Sequence, residues 1–283
     1  FANCLKISTT VADTSIAAEE RLNLWQRFEG QDLQQLKKGT ASAEQVTVSF
    51  WIKGNAAALY VCELYDQDNG RSITQSFAVT TSWNRIELTF PGDTSDPLDD
   101  DINSSLLVVI WLHAGSDFTG GTFAVNTWND QTAANRYAVA DRTSIFDATS
   151  RTFFLTGVQM EIGATATDFE SRTFGDDLAL CQRYYQQQFT FNGYASNTTT
   201  IQASAPCIIS MRATPTLSAG GVLTVTDGAA NYAQSSLSIT GVTGTPNGIS
   251  FNAPNFSSLT QFRPCMNNGT ASSVGSLAYS AEL

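Results

Sequence analysis

A single histidine, His113, limits what proton-transfer chemistry this chain can perform. A Ser-His-Asp or Cys-His arrangement would have to run through it, because activating a hydroxyl or thiol near neutral pH needs an imidazole within reach. His113 closes the most apolar stretch of the chain, residues 106–112, and so reads as a strand-end or structural histidine. A histidine-rich metal site is excluded. Cys4, Cys62, Cys181, Cys207 and Cys265 form no CxxC pair and no Cys/His ligand spacing, so no metal is expected. They read instead as small apolar residues, with free thiols suited to assembly in a reducing cytoplasm.

Asp and Glu can hydrolyse glycosides as a pair. The stretch 93–101 offers five aspartates, but it reads as a loop with solvated charges, with a calcium site as the alternative. Asp66-Gln-Asp-Asn-Gly70 misses the EF-hand spacing and is accounted for by a turn. No catalytic residue and no cofactor are expected.

Binding chemistry is better represented. A neutral sugar needs ring faces for its C–H surface and amides or carboxylates for its hydroxyls. In Asn126-Thr-Trp-Asn-Asp-Gln131 nothing apolar adjoins Trp128, and Tyr137 follows shortly after. Trp128, Tyr137 and Asp130 are therefore the leading carbohydrate-binding candidates, on a loop joining two strands. Trp111 and His113 share the second face of their strand and join them if that face is open. Most rings in a β-protein are core, and Trp83 is expected there.

The elements that must position these residues follow a period of two. Val46-Thr-Val-Ser-Phe-Trp-Ile-Lys53 puts Val46, Val48, Phe50 and Ile52 on one face. Residues 59–65 and 71–79 flank a hairpin turn in which Asn69-Gly70 supply positive φ. Residues 83–90 alternate with Ile86, Leu88 and Phe90 inward. Residues 106–113 read as a central strand covered on both sides. Residues 153–162 are read with Phe154, Val158, Met160 and Ile162 on one face. Short strands between Gly, Asn and Asp turns predict a two-sheet sandwich or jelly roll. One helix interrupts them: Thr173-Phe-Gly-Asp176 resembles a capping box, and Leu178, Cys181 and Tyr185 recur at helical spacing.

Composition agrees with an all-β protein. Charged residues are 14 %, against roughly 25 % in ordinary soluble domains. The net charge of −11 excludes a phosphate-gripping surface, so no nucleic-acid partner is expected. No apolar run is long enough for membrane insertion as a helix. The Asn-x-Ser/Thr sequons at Asn103, Asn197, Asn255 and Asn268 arise by chance in so Asn-, Ser- and Thr-rich a chain. The chain opens on Phe1, in what reads as a strand, and is taken as the distal part of a longer polypeptide. A first domain is placed at 1–172 and a connector helix plus distal β domain at 173–283.

Leu155-Thr-Gly-Val-Gln-Met-Glu-Ile-Gly-Ala-Thr-Ala-Thr-Asp-Phe-Glu170, followed by Leu178-Ala-Leu-Cys-Gln-Arg-Tyr-Tyr185, resembles the signature of a carbohydrate-binding-type jelly roll found in phage and prophage tail fibres. Met211-Arg-Ala-Thr-Pro-Thr216 and Ser280-Ala-Glu-Leu283 are similar to the distal segment that often follows it. The resemblance implies a receptor-binding protein that recognises host cell-surface polysaccharide without catalysis. It further implies a homotrimer, other virion tail proteins as partners, and a place in the virion after assembly in the host cytoplasm. The family's module usually has strands before the position of Phe1, so this one is expected to be incomplete at its N-terminal side. The motif is architectural and carries over no binding residue. A purely structural virion protein, and the binding module of a secreted glycan-degrading enzyme, are the alternatives.

Overall fold

The computed structural model describes residues 1–267 and 276–283, which separate into a unit of residues 1–170 and a unit of residues 171–283. The Asn268 sequon lies outside the described residues. In the first unit, period-two patterning becomes β1 (Leu5–Ser8), β2 (Arg21–Glu29), β3 (Val46–Gly54), β4 (Ala58–Asp66), β5 (Arg71–Val79), β6 (Asn84–Phe90), β7 (Ser104–Ala114), β8 (Asn129–Asp130) and β9 (Thr152–Ile162). One sheet runs β1-β9-β3-β6 and the other β2-β7-β4-β5-β8. The antiparallel pairs β1–β9, β2–β7, β3–β6 and β4–β5 are nested around the β4–β5 hairpin, which is jelly-roll connectivity. These eight strands lie within residues 5–162.

The core forms where the sheets face each other. Val46, Val48, Phe50 and Ile52 of β3 are buried as their alternation requires, and Phe50 meets Phe77 of β5 edge-to-face at 5.1 Å. In the hairpin turn Gly70 takes φ +65°, where a side chain would be strained. Asn69 does not share that conformation; its backbone N–H and Nδ2 both donate to the Asp66 carboxylate at 3.0 Å.

β9 departs from simple alternation. Its register against β3 shifts between Ser49 and Trp51, and Gly157 sits in the left-handed region at φ +58°. One extra residue there exchanges the two faces. Phe153 and Leu155 are buried, while Phe154 turns outward, 6.3 Å from Trp83. The expected single face therefore holds beyond Gly157 and fails before it. Trp83, expected in the core, is 40 % exposed with the Lys53 ammonium 5.3 Å from its ring.

The stretch 93–101 is less solvated than expected, because Asp93 is buried. Lys38 Nζ lies 2.6 Å from Asp66 Oδ2 and 3.2 Å from Asp93 Oδ2, and donates to the carbonyls of Ser95 (3.0 Å) and Asp96 (2.7 Å). Arg71 Nε donates to Asp93 at 2.7 Å. Burial works against the Asp93 charge, but these donors outweigh it and hold the carboxyl below its usual range.

Past β9, the motif residues fold back. Thr47 Oγ1 donates to Gly163 O and the Thr167 N–H donates to Glu161 Oε1, so this segment covers the outer side of β3.

In the second unit, α2 (Phe174–Gln182), numbered after the one-turn α1 (Ser116–Thr119), is capped by Thr173, whose Oγ1 accepts from the Asp176 N–H. It is followed by β10 (Tyr185–Gln188), β11 (Asn192–Ala195), β12 (Ile201–Pro206), β13 (Thr216–Ala219), β14 (Thr224–Thr226), β15 (Asn231–Ala233), β16 (Thr240–Thr245), β17 (Gly248–Ala253), β18 (Pro264–Asn267) and β19 (Leu277–Ser280). Tyr185, expected in the helix, opens β10 instead. The sheets run β10-β19-β13 and β15-β14-β18-β11-β12-β17-β16 around Phe191, Phe251, Leu277 and Tyr279. The two distal motifs meet here: Thr216 pairs with Ser280, and Arg212 Nε donates to Ala281 O at 2.5 Å.

Replacing Lys38 by Met should destabilise the first unit by roughly 3–5 kcal/mol, because it leaves the buried Asp66 carboxylate without a cation, Asp93 keeping Arg71. Lys37→Met, which breaks an exposed pair with Glu44, should cost under about 1 kcal/mol. Denaturant melts of both variants check the contrast; equal losses would show that Lys38 is no more than a surface charge.

Candidate functional site

Strand register assigns the outward face of the five-stranded sheet row by row. Arg27, Leu107, Tyr65, Ser72 and Asn129 lie side by side across β2, β7, β4, β5 and β8. Trp25, Val109, Glu63 and Thr74 form the next row, and Asn23, Trp111, Val61 and Ser76 the one beyond.

Residues 115–146 close part of this face. The Tyr137 ring stacks over Trp111 at 6.2 Å, the Tyr137 N–H donates to Phe118 O at 2.9 Å, and its hydroxyl donates to Thr143 O at 2.7 Å. Beneath them Glu63 is fully buried. It accepts from Trp111 Nε1 at 2.7 Å and from Arg136 Nε at 2.9 and 3.0 Å. Burial pushes the Glu63 pKa upward, opposed by the Arg136 charge and these hydrogen bonds.

Three of the expected sugar-binding residues are therefore corrected. Trp111 is 0 %, Tyr137 1 % and His113 2 % exposed, so none offers a surface to a ligand. The face that carries Trp111 is roofed, not open. His113 does not join it: the β2–β7 register shifts between Leu22–His113 and Asn23–Trp111. Its ring lies 5.0 Å from Phe146 and 2.8 Å from Ser144 Oγ, and burial lowers its pKa, keeping it neutral at pH 7.

Trp128 is half-buried against the core, its Nε1 donating to Pro91 O at 2.7 Å and Lys38 Nζ lying 5.6 Å from its ring. It seals the end of the sandwich. Asp130 is where a ligand can reach it, with a side chain 95 % exposed beside Arg71 at 3.1 Å.

The rest of the face stays open. Trp25 is 52 % exposed, with the Arg27 guanidinium 5.2 Å from its ring centre. Tyr65 is half-buried beneath Arg136, whose guanidinium lies 4.8 Å from the ring. Next to it, Ser72, Thr74, Thr127, Asn129, Asp130 and Asn135 line a recess of about 20 Å³. That space holds about one water or one sugar hydroxyl, so a ligand would lie along the face, not within it. Rings on β2 and β4 and hydroxyls, amides and a carboxylate on β5 and β8 thus share one face of the sheet. Trp25 and Arg27 escaped the sequence reading, although the alternation was legible: Leu22, Leu24 and Phe28 pack on the core, which turns Asn23, Trp25 and Arg27 outward.

No protein-family model and no curated protein matches the chain. A solved structure titled "CBM4 structure and function" is similar at a TM-score of 0.29 and 12 % identity, over 56 % of this chain and 71 % of that one. So distant a likeness assigns no function. The strands and their pairing define the chain as an all-β protein: a jelly-roll sandwich followed by a short helix and a second β unit.

Trp128→Ala should lower stability by about 3 kcal/mol, the usual scale for emptying a packed aromatic site. Trp25→Ala should leave the melting temperature within about 2 °C, because half of that ring is already in water. Thermal melts of the two variants decide between a sealing role and a surface role for Trp128.

Proposed function

We propose that the first unit binds a cell-surface glycan through the open part of the five-stranded sheet. The chain then acts as the receptor-binding part of a phage tail fibre. The glycan reading is carried by one observation: the half-exposed ring of Trp25 and the partly exposed ring of Tyr65 share a rigid face with a recess of hydroxyls and amides. Sugars are held by that combination, stacking on rings while their hydroxyls reach polar side chains. The tail-fibre part rests on the resemblance of residues 155–185 to the phage module.

Binding is proposed to occur without catalysis. Glycoside hydrolysis needs two carboxyl groups roughly 5–9.5 Å apart across the scissile bond. Here Glu63 is fixed by Arg136 and Trp111 under the roof, and Asp130 faces Arg71.

Trp25→Ala and Tyr65→Ala should each weaken glycan retention at least about tenfold, the scale of one lost ring contact of roughly 1.4 kcal/mol. A glycan array followed by affinity electrophoresis on the best polymer measures this; retention unchanged in both variants would remove the face from consideration.

The fibre role also predicts a stable homotrimer in solution. The second unit exposes Phe262, Ile208 and Met266 at 73 %, 60 % and 55 %, apolar surface suited to self-association. Light scattering at micromolar concentration tests it, and a monomer would contradict the fibre assignment.

A further inference from the structure

We propose that this face selects sugars bearing a carboxylate, of the uronic or sialic acid type, and that Arg27 makes the selecting contact. The inference deepens the glycan reading and depends on it.

The argument starts from charge. The chain carries a net charge of −11, and acids are plentiful enough to occupy its cations. Arg71, Arg85, Arg136 and Arg151 each form an ion pair with Asp93, Glu87, Glu63 and Asp147 respectively. Arg27 is different. Among the described residues its guanidinium makes no ion pair and no hydrogen bond; its contact is the Trp25 ring, 5.2 Å away. Arg21 stands likewise, 5.1 Å from the Phe118 ring.

Both arginines lie on β2 with the same phase as Asn23 and Trp25, so alternation lines them along one outward stripe. Stacking uses the flat face of a guanidinium and leaves its edge N–H groups, the fork that meets a carboxylate through two parallel hydrogen bonds. Arg27 is half-buried, so part of its desolvation is already met before a ligand arrives. Trp25 beside it supplies a stacking surface, and a single acidic sugar can meet both at once. Arg21 and Arg27 are separated by about 20 Å of strand, so an acidic polymer reaches both where a short oligosaccharide reaches one. The overall negative charge opposes indiscriminate polyanion binding, which leaves the local fork to provide the attraction.

The test uses the full chain in affinity electrophoresis at about 0.15 M salt, where the Debye length is roughly 8 Å. The probes are polygalacturonate, its methyl ester, polysialic acid and polyglutamate. The expected result is retention by polygalacturonate or polysialic acid, whichever carries the fitting acid, at least tenfold stronger than by the ester or polyglutamate. Arg27→Gln should remove that preference with an unchanged melting temperature, and Arg27→Lys should restore only part of it. Equal retention by acid and ester, equal retention by polyglutamate, or a preference indifferent to Arg27→Gln would overturn the proposal. If acid and ester bind equally and Trp25→Ala abolishes both, the carboxylate inference fails while the glycan reading stands. If no saccharide is retained, both fail.

Discussion

Glu63 is the constraint on which the binding face depends. A carboxylate with no solvent contact must find donors inside the protein, and it finds the Trp111 indole at 2.7 Å and the Arg136 guanidinium at 2.9 Å. Arg136 belongs to the segment 115–146, so satisfying Glu63 pins that segment to the sheet. Tyr137 then stacks on Trp111, and the covered part of the face becomes a second core layer. What remains uncovered is the part bearing Trp25 and Arg27, with Tyr65 at its border under Arg136. The extent of the open face is thus set by where one buried charge is neutralised.

Charge is handled the same way at the end of the sandwich. Lys38 brings a tethered ammonium among Asp66, Asp93 and two backbone carbonyls, and Trp128 closes over it. The loop 93–101 is held there by these bonds, not by apolar packing alone. With only 14 % charged residues, this chain concentrates several of them in buried pairs.

The second unit works with less. Its strands are short, its core centres on a few rings such as Phe191 and Phe251 at 5.6 Å, and buried amides take part. Gln186 donates to the carbonyls of Gln182 and Ile209 at 3.0 and 2.6 Å, and Arg212, four residues before β13, is tied to the last residues through Ala281 O. Sequence-distant pieces are joined by hydrogen bonds that no local pattern foretells.

The sequence by itself determined the fold class, because side chains alternate with period two in any strand whatever its partners. β3 and β6 were legible for that reason, β7 from its unbroken apolar run, and the Thr173 cap because it is a contact between residues three apart. Local pattern cannot say which face of a sheet receives a roof. Trp128 looked exposed because its chain neighbours are polar, yet Pro91, Lys38 and the core close on it from elsewhere in the chain. Trp111 and Tyr137 looked available and were used to cover Glu63. The β9 faces exchanged at Gly157, where a bulge defined only by pairing with β3 inserts one residue. Only the tertiary structure decided these points, because burial is fixed by what packs on a residue across space.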